Sequence, residues 1–242
     1  MKPILIKELN SFFSSPIAYL VIGVYLLVNG LFLWVFEGDF NILHAGFADL
    51  NNYFFLAPWI FIFLIPAITM RSFSDEINTG TIEILKTKPI TYWQLILGKY
   101  IGSLLLVILA ILPTLIYAYS IYQLGNPIGN IKFGTTFGSF IGLLFLASTY
   151  TSIGIFSSTI SKNQIVSFIT AVSISFFLYY GFEALANYNL FGNLDDTILN
   201  FGMSSHFNSI SKGVIDTRDL IYFASVTFFF LILTNYRIQH EQ

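Results

Sequence analysis

Six apolar runs alternate with polar connections along the chain, at residues 17–36, 53–70, 100–122, 136–156, 164–185 and 220–236. An α-helix rises 1.5 Å per residue, so about 20 residues cross a hydrocarbon layer of roughly 30 Å. Each run has about that length, and the pattern predicts an all-α polytopic membrane protein with six transmembrane helices in a single domain over residues 1–242. Residues 1–15 carry Lys2, Lys7 and Glu8 together with Leu5, Leu9, Phe12 and Phe13 at helical spacing. That segment reads as a short amphipathic helix lying in the membrane interface. A cleaved signal peptide is the rival reading. The run that follows is too long for the apolar part of a signal, and no small-residue cleavage site follows it, so the segment is expected to stay attached.

The connection at residues 71–99, RSFSDEINTGTIEILKTKPITYWQLILGK, interrupts the apolar pattern with Arg71, Asp75, Glu76, Glu83, Lys86, Lys88 and Lys99. At about 2.5–3.5 kcal/mol per charge at a bilayer centre, it belongs in water or against protein. Its punctuation predicts short rigid helices. Ser74 before Asp75 and Glu76 places a capping oxygen and two carboxylates at a helix start. Thr79-Gly80-Thr81 breaks that helix, Thr81 caps a second turn with Ile82, Glu83, Ile84 and Leu85, and Pro89 ends it. Thr91 with Gln94 is a capping-box pattern that starts a helix at Tyr92 and runs through Lys99 into the third apolar run. An exposed ridge of Ile82, Ile84 and Leu85 beside carboxylates suits the groove of a partner protein. The plain alternative is that the charges only keep the loop in water.

Composition narrows the picture. Hydrophobic residues make up 55% of the chain and charged ones 10%, which leaves no room for a sizeable soluble domain beside six spans. The net charge of −2 argues against a nucleic-acid partner. The absence of cysteine excludes disulfides, thiolate metal sites and a cysteine nucleophile. Orientation follows from Lys and Arg. An even number of spans puts eight of them (Lys2, Lys7, Arg71, Lys86, Lys88, Lys99, Lys162 and Arg237) on one face and three (Lys132, Lys212 and Arg218) on the other. The positive-inside rule therefore makes residues 71–99 and both termini cytoplasmic.

On the outer face, residues 37–52 are acidic, residues 123–135 form a Gly/Pro/Asn turn, and residues 186–219 are long and mixed. Apolar Leu190, Phe191, Ile198, Leu199 and Phe201 lie between Gly and Asn breaks in the last of these. Two readings fit it: short helices that dip back over the outer mouth, or a surface loop. Pro58, Pro66 and Pro113 lie within spans and each removes a backbone hydrogen bond. Gly134, Gly138 and Gly142, and likewise Gly98 and Gly102, recur at spacing four, which allows close helix approach.

Candidate chemistry is sparse. Gly98-Lys99 is followed by Tyr100 and lacks the glycine of a phosphate-binding loop, so ATP hydrolysis by that route is not expected and the chain is not read as an enzyme. His44, His206 and His240 are too scattered for a metal site, and no cofactor is expected. Ser204-Ser205-His206 invites a serine-protease reading, but neighbours in a loop are poorly placed as nucleophile and base. Ion-coupled transport is a stronger rival, and a structural membrane subunit a third. The first needs an ionisable group within a span, where Glu183, about one turn from the outer end, is the candidate and a possible outer-gate residue.

The order Arg71, Phe73, Asp75-Glu76, Gly80-Thr81, Glu83, Leu85, Pro89, Gln94 and Gly98-Lys99 resembles the signature after the second membrane helix of ABC-2-type ABC transporter permeases. More loosely, the resemblance covers the whole chain through the spacing of its apolar runs. It implies that residues 71–99 hold a coupling helix, with Arg71, Asp75, Glu76, Gly80, Thr81, Ile82, Glu83, Ile84 and Leu85 at the interface with a separate ATP-binding subunit. It also implies a second permease copy, as homodimer or heterodimer, outer gate helices, export, and a place in a bacterial inner membrane. The phrases SFSDEINTGTIEILKTKPIT, YQLGNPIGN and STISKNQIV are similar to the gliding-motility-associated permeases of that family, which implies a GldA-like ATP-binding subunit and a GldG-like auxiliary subunit. Ile77-Asn78 stands where many members carry a basic residue after the acidic pair.

Overall fold

The computed structural model describes residues 2–44, 46–86, 90–188, 192, 195–214 and 216–240, with the backbone alone for 84–86. Among the described residues there is no strand. Six helical spans among them are long and apolar enough to cross a membrane: Ile17–Val35, Asn51–Asn78, Tyr92–Leu124, Phe133–Ser158, Gln164–Asn187 and Thr217–His240. They bear out the six-run pattern, with ends extended where polar residues continue a helix beyond the apolar core.

In chain order, α1 (Lys2–Ser14) precedes α2 (Ile17–Gly30), which widens into a π turn at Leu31–Val35. Then come α3 (Asn51–Thr69), α4 (Ser74–Asn78), α5 (Thr81–Lys86), α6 (Tyr92–Ile111) and α7 (Leu115–Leu124). A 3₁₀ turn at Leu112–Thr114 joins the last two. It contains Pro113, whose missing N–H breaks the α-helical ladder there. Pro58 and Pro66, by contrast, leave α3 continuous. The chain ends with α8 (Phe133–Ser158), α9 (Gln164–Phe176) and its π turn Phe177–Gly181, then α10 (Phe182–Asn187), α11 (Asp195–Leu199), α12 (Met203–Ser211) and α13 (Thr217–His240).

The spans built on α3, α6 and α8 form the middle of the bundle, with 61–67% of their most apolar stretches buried, against 22–28% for the other three. α2 packs on α3 and α6, α9 on α3 and α8, and α13 on α6 and α8. Lipid tails give apolar helices no reason to associate, so close packing and interhelical hydrogen bonds have to hold them. Both are present. A Cβ added at Gly154 of α8 would run into the Thr69 side chain of α3. The Tyr53 hydroxyl bonds the Tyr25 hydroxyl at 2.9 Å and Thr114 Oγ1 at 2.8 Å, joining three spans through one buried polar chain. Tyr100 and Ser148 meet at 2.6 Å between α6 and α8, and Thr149 and Thr227 at 3.0 Å between α8 and α13.

Of the two readings of residues 186–219, the structure has short helices packed back on the bundle; Leu190 and Phe191 lie outside the described residues. α12 buries Met203, Phe207 and Ile210 against α8. A Cβ at Gly138 would come within 2.8 Å of the Ile210 carbonyl oxygen, and one at Gly142 within 3.3 Å of Phe207 and Ile210. The glycine spacing thus marks a seam within this chain. Gly134 faces open space and is not part of it.

Candidate functional site

Residues 71–86 gather at the end of the bundle that carries both termini, and their surroundings explain why the segment is rigid. α4 follows α3 after one turn. Ser74 does not cap it: the residue preceding the helix is Phe73, with no capping side chain, and the Ser74 hydroxyl donates back to the Met70 carbonyl. The break at Gly80 and the capping box at Thr91 are as the sequence predicts. Gly80 takes φ +70° and turns the chain between α4 and α5, a conformation that side chains with a Cβ resist. Thr91 and Gln94 form the capping box at the start of α6, with both bonds made, at 3.3 and 3.4 Å. Pro89 and Lys88 lie outside the described residues, as do the side chains of Ile84, Leu85 and Lys86.

The centre of the site is Lys99, 2% exposed and near the start of α6. An ammonium has three N–H donors; here two are hydrogen-bonded, to Glu8 and to the Ser72 carbonyl, and Glu76 adds an ion pair. Nζ lies 3.0 Å from Glu8 Oε1 of α1, 3.0 Å from Glu76 Oε1 of α4 and 2.6 Å from the Ser72 carbonyl oxygen. The Phe73 ring covers it at 5.0 Å. Lys7 reaches the same Glu76 oxygen at 3.2 Å from the exposed side. Buried charges cost several kcal/mol each, of order, unless paired and hydrogen-bonded, so this cluster holds α1, α4 and α6 in one arrangement. Shape adds to it: a Cβ at Gly98 would come within 2.7 Å of Ile4, and one at Gly102 within 3.0 Å of Glu8, so these two glycines let α1 lie directly on α6.

α4 is fixed on its other side by Asp75, which accepts from the Gln164 side-chain amide at the start of α9. Arg71 Nε lies 3.6 Å from the second Asp75 oxygen. Phe73 and Ile77 join a second apolar cluster with Ile96, Tyr100, Ile155 and Ile238.

This placement corrects two expectations. Ile82 is no exposed ridge: it is 6% exposed and packs into that cluster. The Glu76 side chain is 12% exposed and occupied with Lys99 of α6 and Lys7 of α1. What faces outward is the polar tip of Asn78, Thr79, Gly80 and Thr81, with Glu83 beside it. Glu8 and Gln164 were not foreseen, and Lys99 was foreseen only as part of a pattern. For Glu8 the signal exists: it falls between Leu5, Leu9 and Phe12 on the stripe of α1 that should be apolar, and a charge there calls for a buried partner.

At the opposite end, Glu183 of α10 accepts a 2.7 Å bond from the Ser204 hydroxyl of α12. His206 pairs with Asp219 at 2.6 Å, stacks on Tyr222 at 3.9 Å, and turns Nε2 to the Asn200 carbonyl at 2.8 Å. Ser205 donates to the Gly202 carbonyl. No serine here is engaged by the imidazole, so the sequence triplet is a packing cluster with no nucleophile–base pair.

Comparison with curated proteins gives no match. Residues 9–234 match the family described as ABC-2 family transporter protein. Members of that family are transmembrane subunits that dimerise and work with a separate ATP-binding subunit. With nearly the whole length matched and six apolar spans in place, the chain belongs to the ABC-2 transporter family and is a membrane permease of an ABC transporter.

Proposed function

We propose that the chain is the membrane-spanning half of an exporter, and that α4 and α5 receive the motion of the ATP-binding subunit on the cytoplasmic side. The observation that carries this reading is the Lys99 cluster. A push on α4 meets a helix fixed to α1 by Lys7, to α6 by Lys99, which Glu8 ties in turn to α1, and to α9 by Gln164, so it must move span ends rather than bend a loop. Within the interface set, Gly80, Thr81 and Glu83 serve as outward contacts with Ile84 and Leu85 continuing α5. Arg71, Asp75, Glu76 and Ile82 hold that surface in place. The excess of Lys and Arg at this end supports a cytoplasmic location with both termini inside, in a bacterial inner membrane. Glu183, tied to Ser204, is the residue of an outer gate at the far end.

The residue phrases quoted above resemble GldF, and on that likeness we assign a role in gliding motility, a GldA-like ATP-binding subunit, a GldG-like auxiliary subunit and a second permease copy. The test is co-purification from native membranes in mild detergent, intact chain against Glu83→Lys at matched membrane levels. The expected result is an ATP-binding protein with the intact chain and at least a tenfold loss with the variant. Equal recovery with both would remove Glu83 from the contact, and recovery with neither after mild crosslinking would overturn the coupling reading.

A further inference from the structure

Between α3, the π turn of the fifth span and α12 lies a cleft of about 450 Å³ at the end remote from the termini. Its walls combine two kinds of group. Trp59 of α3 meets Tyr179 and Tyr180 of the π turn with ring centroids 5.6 and 5.5 Å away, forming an aromatic corner. Glu183 lies one turn beyond Tyr179 on the same wall and supplies the carboxylate; the rest of the lining mixes amides and hydroxyls, such as Asn51 and Ser211, with the phenyl rings of Phe54, Phe55 and Phe207. Among the described residues no Lys, Arg or His lines the cleft. Among the described residues Ser204 is the one hydrogen-bond partner of Glu183, which leaves acceptor capacity on a carboxylate that has several lone pairs.

A carboxylate near the end of a membrane span favours a counter-charge, and aromatic faces attract cations within about 6 Å of the ring centre. π turns themselves concentrate at functional sites, since they displace side chains from the regular helical path. From the carboxylate, the aromatic corner and the lack of any cation in the wall, we propose that this cleft binds the cationic head of an amphiphile, an amine or quaternary ammonium group. Glu183 provides the counter-charge and the faces of Trp59 and Tyr180 the lining. Phe55, 60% exposed on the rim, gives the apolar tail a path toward lipid. The site lies within one chain, so it stands or falls independently of contact with an ATP-binding subunit.

The test is equilibrium binding of radiolabelled tetraphenylphosphonium to the full chain, extracted with its natural partners in a neutral polyoxyethylene detergent. Saturable binding is expected. Unlabelled tetraphenylphosphonium should displace it at least tenfold more effectively than neutral triphenylphosphine oxide of similar shape, and Glu183→Gln should weaken it tenfold or more. Trp59→Leu should weaken it several-fold. Equal competition by the neutral compound, or binding indifferent to Glu183→Gln in a protein that still elutes as a single species, overturns the proposal. Displacement by octyl glucoside in preference to the cation would make the cleft a sugar site and overturn it too. If Glu183→Gln does not fold, the competition on the unaltered protein decides alone.

Discussion

Replacing Lys99 by Met should be among the most damaging single substitutions in this chain. It removes the ammonium from between Glu8 and Glu76 and leaves two carboxylates facing each other, 11% and 12% exposed. Breaking a buried ion pair by deleting one partner costs about 3–5 kcal/mol. The readout is the fraction of protein that still elutes as a single species after heating in detergent, and the midpoint should fall by many degrees. Two comparisons separate charge from shape. Adding Glu8→Gln and Glu76→Gln to Lys99→Met removes both buried carboxylate charges, leaves only the exposed Lys7 without its partner, and should recover most of the loss. Lys7→Met should cost under about 1 kcal/mol, because Lys7 is 61% exposed and water already screens its pair with Glu76. An equal loss for Lys7→Met and Lys99→Met would contradict the placement of Lys99 at the centre.

The second large effect is steric. Gly98→Leu puts a branched side chain where even a Cβ would lie 2.7 Å from Ile4 Cγ2 and 2.9 Å from Ile4 Cβ, so α1 has to lift off α6. Lifting α1 also withdraws Glu8 from Lys99, so overpacking and charge loss act together, and the cost should exceed the roughly 1–3 kcal/mol of overpacking alone. The chain contains no cysteine, which makes a single introduced thiol a clean reporter. Phe12 lies on the buried face of α1, so Phe12→Cys should react slowly with a maleimide in the otherwise unaltered protein. In the Gly98→Leu background its labelling rate should rise at least tenfold. An unchanged rate would mean that α1 is held by contacts other than this seam.

These two residues also mark how far the sequence could be read. The six spans were legible because apolar runs of the right length leave a helix few alternatives in lipid, and the capping box at Thr91 and Gln94 because both partners are local. The Gly98/Gly102 spacing announced a close approach, yet nothing local said that the approaching helix is α1. Glu76 reads as an outward charge in the sequence because an amphipathic turn by itself exposes its carboxylates. Its burial depends on Lys99, 23 positions further on, and on Glu8 near the chain start, contacts that no window of neighbouring residues contains. Ile82 is alike: an apolar residue on a short polar loop looks available to a partner, but it is buried in the cluster that also holds Phe73 and Ile77. On the remote side, the glycines of α8 marked a seam without naming α12 as its partner, and the cleft around Glu183 needed three elements far apart in the chain to come together.

Photocrosslinking in native membranes tests the central claim most directly, that the polar tip of α4 and α5 is the surface met by the ATP-binding subunit. A benzophenone side chain is introduced at Glu83, exposed beside that tip, or at Phe47, 76% exposed at the opposite end. The account predicts that the probe at position 83 captures an ATP-binding protein, that ATP-site labelling identifies the captured species, and that the probe at position 47 captures none. Capture from position 47, or from neither position while the complex remains assembled, would contradict it.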